Sequence, residues 1–209
     1  DIMFSSFPLD AQVDERPYVH GSRPAPRAWP DPDDLQVVLT ALQKSERPIL
    51  IGGHGVWWSG GETKLEKTGT ALGIPVFNIP YHQKLLPETS EAYMGLADIH
   101  QYGPSAKALR QADVVIMVGG RLDNQMNFGN PPLFPASCQL ICVNGSAEET
   151  ELNRAADRVL LSDPGAFFDA LLDLPSSGAW QKRGDWMERQ RTHRGDWVTQ
   201  TLTEMAQDT

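Results

Sequence analysis

The chain has 209 residues, 40% of them hydrophobic and 22% charged, which is close to the average for soluble globular domains and predicts one packed core. Its 27 acidic and 18 basic residues give a net charge of −9 at pH 7, and this balance disfavours nucleic acid as a partner. No apolar run approaches the roughly 18 residues of a membrane helix, and the first residues do not resemble a signal peptide, so we expect no membrane partner and a cytoplasmic location.

The chain opens on a segment without a periodic apolar pattern. Residues 1–30 contain five prolines, which interrupt both helices and sheet ladders, and this predicts a linker entered from an upstream domain.

The pattern changes at Asp31, where an acidic first turn and apolar residues at helical spacing predict a helix over 31–45. An apolar run ending in glycines, at 47–53, then predicts a buried parallel strand.

Strands and helices alternate from there to residue 174. Six strand-like runs occupy residues 47–53, 74–79, 91–95, 113–120, 138–145 and 158–162. Further helical patterns occupy residues 62–73, 104–112, 148–155 and 164–174. This order predicts an α/β fold with a Rossmann-like open parallel sheet of about six strands and helices on both faces, and we assign residues 31–174 to this central, nucleotide-binding-type domain. Unbroken apolar runs imply burial on both faces, so Ile49–Gly52 and Val114–Val118 should be central strands.

Two cysteines lie in the fifth strand-like run. Cys138 and Cys142 are four residues apart, which along a strand is about 13 Å, with both side chains on one face. This distance is too long for a disulfide, so we expect two small buried thiols and a reducing compartment.

Residues 175–209 form a tail that begins with proline, serine and glycine and is then charged and rich in tryptophan. Trp186 and Trp197 are 11 residues apart, or three helical turns, and would share one helix face. Two interpretations stay open, a helix that packs back on the domain and a surface that meets a further domain. We describe the segment as a linker or helical tail toward a missing domain.

The first candidate for ligand contact is the glycine-rich turn after the first strand. Gly53 and Gly55 would let a backbone approach a phosphate or a ring, and the amino terminus of a helix favours anions. The alternative is that these glycines only shape a tight turn between strand and helix. Their spacing is not the dinucleotide fingerprint, and Asn78 rather than an acid follows the second strand, so nicotinamide binding in the usual mode is not expected. His54, in the same turn, is interpreted as a loop or interface residue.

The second candidate is Arg121, which follows the strand at 113–120, where open α/β sheets bind ligands. Its planar guanidinium could pair with a phosphate. The alternative is a salt bridge to Asp123 or to another surface acid. We find no pairing of a histidine with a nucleophilic serine or cysteine and no spacing typical of metal ligands.

Four stretches together carry a family resemblance: RPILIGGHGV at 47–56, LGIPVF at 72–77, ADVVIMVGGRLDNQMNFGNPP at 112–132 and QLICVNGSAEE at 139–149. Over about residues 31–174 the chain resembles the central domain of thiamine-diphosphate-dependent enzymes of the acetolactate synthase, pyruvate oxidase, oxalyl-CoA decarboxylase and 2-hydroxyacyl-CoA lyase group. The stretch from GGRLD to FGNPP is most similar to the acyl-CoA lyase and oxalyl-CoA decarboxylase branch.

The resemblance implies a three-domain parent enzyme that makes or breaks carbon–carbon bonds with thiamine diphosphate and Mg²⁺, as a homodimer or homotetramer. It places the activating glutamate and the motif that binds diphosphate and Mg²⁺ in flanking domains, which would be partners of this chain. The chain alone should therefore contain neither catalytic residues nor a metal site.

Some branches of this group bind FAD or ADP in the central domain, and the resemblance places Gly53, Gly55 and Arg121 at positions that touch the nucleotide. Asn144 and Ser146 stand where the family usually has acids that hold the ribose. Asp163, at the next strand end, is a further candidate, with helix capping as its alternative role. Because carboxylates accept stronger hydrogen bonds than amides or hydroxyls, we predict weak or absent binding of both nucleotides. Two other hypotheses are a stand-alone ADP- or FAD-binding module and an oligomerisation domain that binds nothing.

Overall fold

The computed structural model describes residues 27–79, 84–97, 103–150, 152–174 and 183–207. The helices are α1 Pro32–Lys44, α2 His54–Trp58, α3 Glu62–Leu72, α4 Pro104–Leu109, α5 Pro164–Asp173 and α6 Gly184–Gln207. The strands are β1 Pro48–Gly52, β2 Val76–Asn78, β3 Tyr93–Leu96, β4 Val114–Val118, β5 Gln139–Asn144 and β6 Arg158–Leu161. A short 3₁₀ segment spans Asn124–Gly129. None of the helices in these ranges is long and apolar enough to cross a membrane.

All six strands form one parallel sheet in the order β3-β2-β1-β4-β5-β6. The predicted fold class is confirmed, and so is the central position of β1 and β4, whose residues are all buried. Both runs can be apolar throughout because helices cover both faces of a parallel sheet. The pairing of β1 with β4 joins Ile49 to Val115 and Gly52 to Val118.

Each face of the sheet has its own apolar core. One core joins α1, α2, α3 and α5 to the sheet, with Leu42, Leu65 and Phe167 among its buried side chains. The other joins α4 and α6 to the opposite face and contains Leu109 and Trp186. Alternate residues of the central strands point into the two cores, which fixes the helices on both sides.

Local sequence signals set the helix ends. The Asp31 carboxylate accepts the Asp33 amide at 2.8 Å and caps α1. Gly73 ends α3 in the left-handed conformation at φ 61°, which a glycine adopts without a steric penalty. Asp163 caps α5 by accepting the Ala166 amide at 2.9 Å, so the alternative role considered for it is confirmed.

One predicted helix is wrong. Residues 148–155 contain only turns and bends where the structure describes them. The Arg154 guanidinium donates to the carbonyls of Gly129, Pro135 and Cys138, and the Asn153 amide donates to the Leu122 carbonyl. These long-range hydrogen bonds replace the local hydrogen bonds of a helix. Asn153 also has φ 69°, which a right-handed helix does not allow.

The ends of the chain agree with the predictions only in part. Residues 27–30 have no regular structure, and the Ala28 carbonyl accepts the Asp163 amide at 2.9 Å. The rest of the predicted linker, residues 1–26, lies outside the described residues. The helix α6 packs back on the domain through Trp186, Met187 and Gln190, as the first interpretation of the tail predicts.

The prediction that the two cysteines are buried thiols is confirmed. Cys138 and Cys142 are both buried and neither forms a disulfide. They lie in the same core, on one face of the sheet. Burial raises the pKa of the Cys138 thiol to about 11 and that of Cys142 to about 12, so both are protonated at neutral pH.

Candidate functional site

The candidate site lies at the carboxyl edge of the sheet, between the loops that follow β1 and β4. These strands are neighbours, but the chain leaves β1 toward β2 on one side and leaves β4 toward β5 on the other. Open α/β sheets bind ligands in the crevice that such a reversal opens.

The two loops touch through their glycines. The Gly53 amide donates to the Val118 carbonyl at 2.9 Å, and the Gly55 amide donates to the Gly119 carbonyl at 2.8 Å. A Cβ added to Gly53 would lie 2.5 Å from the Gly119 oxygen and from the Gly120 Cα. Both predicted glycines therefore serve the contact between the loops, and their amides are already engaged with carbonyls. This geometry supports the tight-turn alternative considered for them.

Beside this contact lies a cleft of about 330 Å³. The residues that line it are His54, Gly55, Ile79, Gly119, Gly120, Arg121, Asp123, Asn144 and Glu149. Arg121 lies 3.6 Å from the Glu149 carboxylate, measured from Nη1 to Oε2, and both side chains are about half exposed. The salt bridge to a surface acid, considered as the alternative role of Arg121, is thus present, with Glu149 rather than Asp123.

The charge of the cleft does not favour an anion. Arg121 is its one lining residue with a fixed positive charge, while Asp123 and Glu149 are both acidic. The Asp123 carboxylate accepts the Gln125 amide at 2.9 Å and caps the 3₁₀ segment. The formal charges of Arg121, Asp123 and Glu149 sum to −1, which opposes the approach of a diphosphate.

Asn144 separates this cleft from a second hollow of about 300 Å³. The second hollow is lined by Ala28, Gly55, Trp58, Ser59, Asn144, Gly145, Asp163 and Pro164. The Asn144 side chain donates to the Gly120 carbonyl at 3.3 Å and accepts the Ser146 amide at 3.2 Å. It therefore ties the end of β5 to the loop after β4.

The structure brings most of the predicted site residues together. Gly55, Arg121 and Asn144 line the cleft, and Gly53 lies behind it in the contact between the loops. Asp163 lines the second hollow. Ser146 is placed next to Asn144 and lines neither of them.

Sequence reasoning did not identify Glu149 or Trp58 as residues of the site, and it considered Asp123 only as a salt-bridge partner of Arg121. Asp123 and Glu149 supply the acidic side chains of the site, and the indole of Trp58, which is 74% exposed, stands at the second hollow. Glu149 is only five residues beyond the end of β5, but it falls in the segment 148–155 that the sequence predicts as a helix. The rings of His54 and Trp58 are 6.1 Å apart, so the first glycine turn presents aromatic as well as backbone groups.

The described residues offer few groups that could do more than bind a ligand. Within the ranges that the structure covers, no group of three or more His, Cys, Asp or Glu side chains could hold a metal ion. Of the five histidines, His54 and His193 lie in those ranges, and His20, His82 and His100 lie outside them. The arrangement at the carboxyl edge can hold a small polar or aromatic group.

Comparison with known proteins identifies the family. The family model of the thiamine pyrophosphate enzyme central domain matches residues 35–171. The chain belongs to this family. The chain is 26% identical over 181 residues to 2-hydroxyacyl-CoA lyase 1 of Mus musculus, and the match covers 87% of the chain and 30% of the mouse protein. It is 29% identical over 142 residues to the acetolactate synthase large subunit of Lactococcus lactis, covering 68% of the chain and 24% of that protein.

A solved structure agrees in fold. Benzoylformate decarboxylase from Polynucleobacter necessarius superposes with a TM-score of 0.62 at 21% identity, over 81% of this chain and 31% of that one. The central domain thus spans less than a third of the length of each of these three proteins.

Proposed function

We propose that this chain is the central domain of a longer thiamine-diphosphate-dependent enzyme that makes or breaks carbon–carbon bonds, of the acyl-CoA lyase or acetolactate synthase type. The observation that supports this most is the family match over residues 35–171. The likeness to 2-hydroxyacyl-CoA lyases and acetolactate synthases favours a substrate that is a 2-oxo acid or a 2-hydroxyacyl thioester.

The reaction itself is assigned to parts of the enzyme beyond this domain. Mg²⁺ held with a diphosphate needs oxygen ligands arranged around it, and the described residues do not provide such a group. We assign thiamine diphosphate, Mg²⁺ and the catalytic steps to the flanking domains, as the family resemblance implies. The role of this domain is to hold the flanking domains at fixed positions in a homodimer or homotetramer.

A first experiment compares the 209-residue chain with the full-length protein. With thiamine diphosphate and Mg²⁺ added, the full-length protein should cleave a 2-hydroxyacyl-CoA or condense a 2-oxo acid, and the isolated chain should do neither. Turnover by the purified 209-residue chain would overturn the assignment of chemistry to the flanking domains. A full-length protein that turns over neither substrate class would overturn the proposed activity.

The second candidate function is binding of ADP or FAD at the carboxyl edge, favoured by the cleft at the reversal of strand order. The residues fit a diphosphate poorly, because the amides of Gly53 and Gly55 are engaged and Arg121 faces Glu149. We expect dissociation constants well above the micromolar range for both nucleotides.

Calorimetric titration of the chain with ADP and with FAD tests this candidate. If either binds, Arg121→Ala should weaken binding by about 10- to 150-fold, the loss of one charged hydrogen-bond partner. Arg110→Ala is the matched control, because Arg110 is exposed at the end of α4 and does not line the cleft. Micromolar binding that Arg121→Ala leaves unchanged would show that the nucleotide lies elsewhere.

A further inference from the structure

The carboxyl-terminal half of α6 carries a stripe of exposed apolar side chains. Trp197, Val198, Leu202 and Met205 are 39%, 40%, 62% and 65% exposed, respectively. We call these four residues the α6 stripe. In contrast, the first turns of the same helix bury Trp186, Met187 and Gln190. The helix therefore packs on the domain at its start and extends an apolar side beyond it.

The stripe lies beside the face that packs on the domain. At about 100° per residue, Val198, Leu202 and Met205 lie within about 60° of one another on the helix surface. The Trp197 indole lies against Gly103, where an added Cβ would be 3.0 Å from its Nε1. Trp197 and Val198 also line an open groove of about 520 Å³ whose other apolar walls are Tyr93, Met94, Leu96 and Pro104. Val198 joins the stripe to this groove, whose lining also includes the charged residues Glu88 and Arg194.

The sequence of this half does not favour a helix standing in water. From Trp197 to Gln207 the only charged residue is Glu204, while Val198 and three threonines lower the helix propensity. Isolated helices shorter than about 12–15 residues are marginal in water, and most helices are stabilised by packing of an apolar face. A surface that covers the α6 stripe would supply this packing.

The area of the stripe distinguishes between two possible partners, a second copy of the chain and another part of the same polypeptide. At these exposed fractions the four side chains offer roughly 300–400 Å² per copy, so two copies would bury roughly 600–800 Å², below the roughly 1,200–2,000 Å² of stable interfaces. A segment of the same polypeptide needs less area, because its tether gives an effective concentration in about the millimolar range.

We propose that the α6 stripe is the docking surface for a flanking domain of the same polypeptide, which covers it with an apolar, uncharged face. This inference rests on the proposed function for the existence of that domain. It adds the site of contact, namely Val198, Leu202 and Met205 beside Trp197. Few charges border the stripe toward its carboxyl-terminal end, so an uncharged partner face avoids burying an unpaired ion.

Photo-crosslinking in the full-length protein tests the proposal. p-Benzoylphenylalanine replaces Leu202 in one sample and, as a matched control, Gln200 in the other, since Gln200 is exposed about 160° away around the helix. After illumination, denaturing electrophoresis separates intramolecular from intermolecular products, and mass spectrometry maps the linked peptides. We expect the Leu202 probe to link to residues outside this 209-residue sequence at the mass of a single chain, and the Gln200 probe to give at least fivefold less of that product.

Three results would overturn the proposal. They are a product of two chains linked stripe to stripe, a Leu202 probe that links no more than the Gln200 probe, and a full-length protein with no residues beyond this sequence. Activity with thiamine diphosphate is measured separately on the unmodified protein. A single-chain crosslink in an inactive protein would support the docking surface and contradict the proposed activity. An active protein without the crosslink would support the proposed activity and contradict the docking surface.

Discussion

The contact between the two glycine loops leads to a quantitative prediction for Gly53→Ala. The backbone of Gly53 is extended, with φ −113° and ψ −170°, so alanine can adopt its conformation without strain. The added Cβ, however, would lie 2.5 Å from the Gly119 oxygen and from the Gly120 Cα, both backbone atoms. Ordinary contacts begin at 3.4 Å, so the loops after β1 and β4 would have to separate by about 1 Å.

This separation has two costs. Overpacking typically costs about 1–3 kcal/mol, and stretching the 2.8 Å hydrogen bond from the Gly55 amide to the Gly119 carbonyl adds about 0.5–1.5 kcal/mol. We therefore expect Gly53→Ala to lower the free energy of unfolding by about 2–4 kcal/mol. For a chain of this size the midpoint of thermal unfolding should fall by about 5–15 °C.

Urea unfolding followed by tryptophan fluorescence measures the loss, and Gly145→Ala is the matched control. Gly145 lies at the same edge of the sheet, after β5, and an added Cβ would have no atom within 4 Å. Its replacement should change stability by less than about 0.5 kcal/mol. If Gly53→Ala were as stable as Gly145→Ala, the two loops would not be in contact and the geometry of the cleft would be wrong.

Two further predictions concern buried side chains. Trp186→Ala should lower the free energy of unfolding by about 3–5 kcal/mol, because the indole is buried and its Nε1 donates to the Pro48 carbonyl at 2.9 Å. In the same urea titration Trp58→Ala should have little effect, because the Trp58 side chain is 74% exposed. Cys138 and Cys142 should not react with a thiol reagent at pH 8 until urea unfolds the chain, because burial raises their pKa values to about 11 and about 12 from an ordinary 9.0. The thiols of the unfolded chain lose their protons at lower pH than those of the folded chain, so the free energy of unfolding should fall as the pH rises from about 9 toward 12. A fast reaction of the native protein with the thiol reagent would contradict the burial of the two cysteines.

The sheet could be predicted from the sequence because its signals are local. The five apolar residues of β1 and of β4 have no polar alternation, which only burial on both faces permits. The capping residue Asp31 and the left-handed Gly73 mark helix ends by their own chemistry. Such signals involve residues within a few positions of one another, so one sequence is sufficient to read them.

The site could be predicted only in outline, because its details depend on contacts between distant residues. Glu149 faces Arg121 across 28 positions of the chain, and nothing near either residue indicates that pairing. The hydrogen bonds of Arg154 to the carbonyls of Gly129, Pro135 and Cys138 likewise outweigh the local helix propensity of residues 148–155. A sequence shows that a residue lies at the end of a strand, but it does not show which distant residue its side chain contacts.

The hydrogen bond between Trp186 and Pro48 has a consequence for the order of folding. It joins the last helix to the first strand across 138 positions of the chain. During synthesis β4, which pairs with β1, follows it by about 66 residues, and the helix that covers the start of β1 is made only after residue 183. Contacts of this range slow folding, since a long loop must close before they form. Until then the apolar strand β1 is a target for aggregation, so we expect the nascent chain to depend on chaperones until α6 has been made.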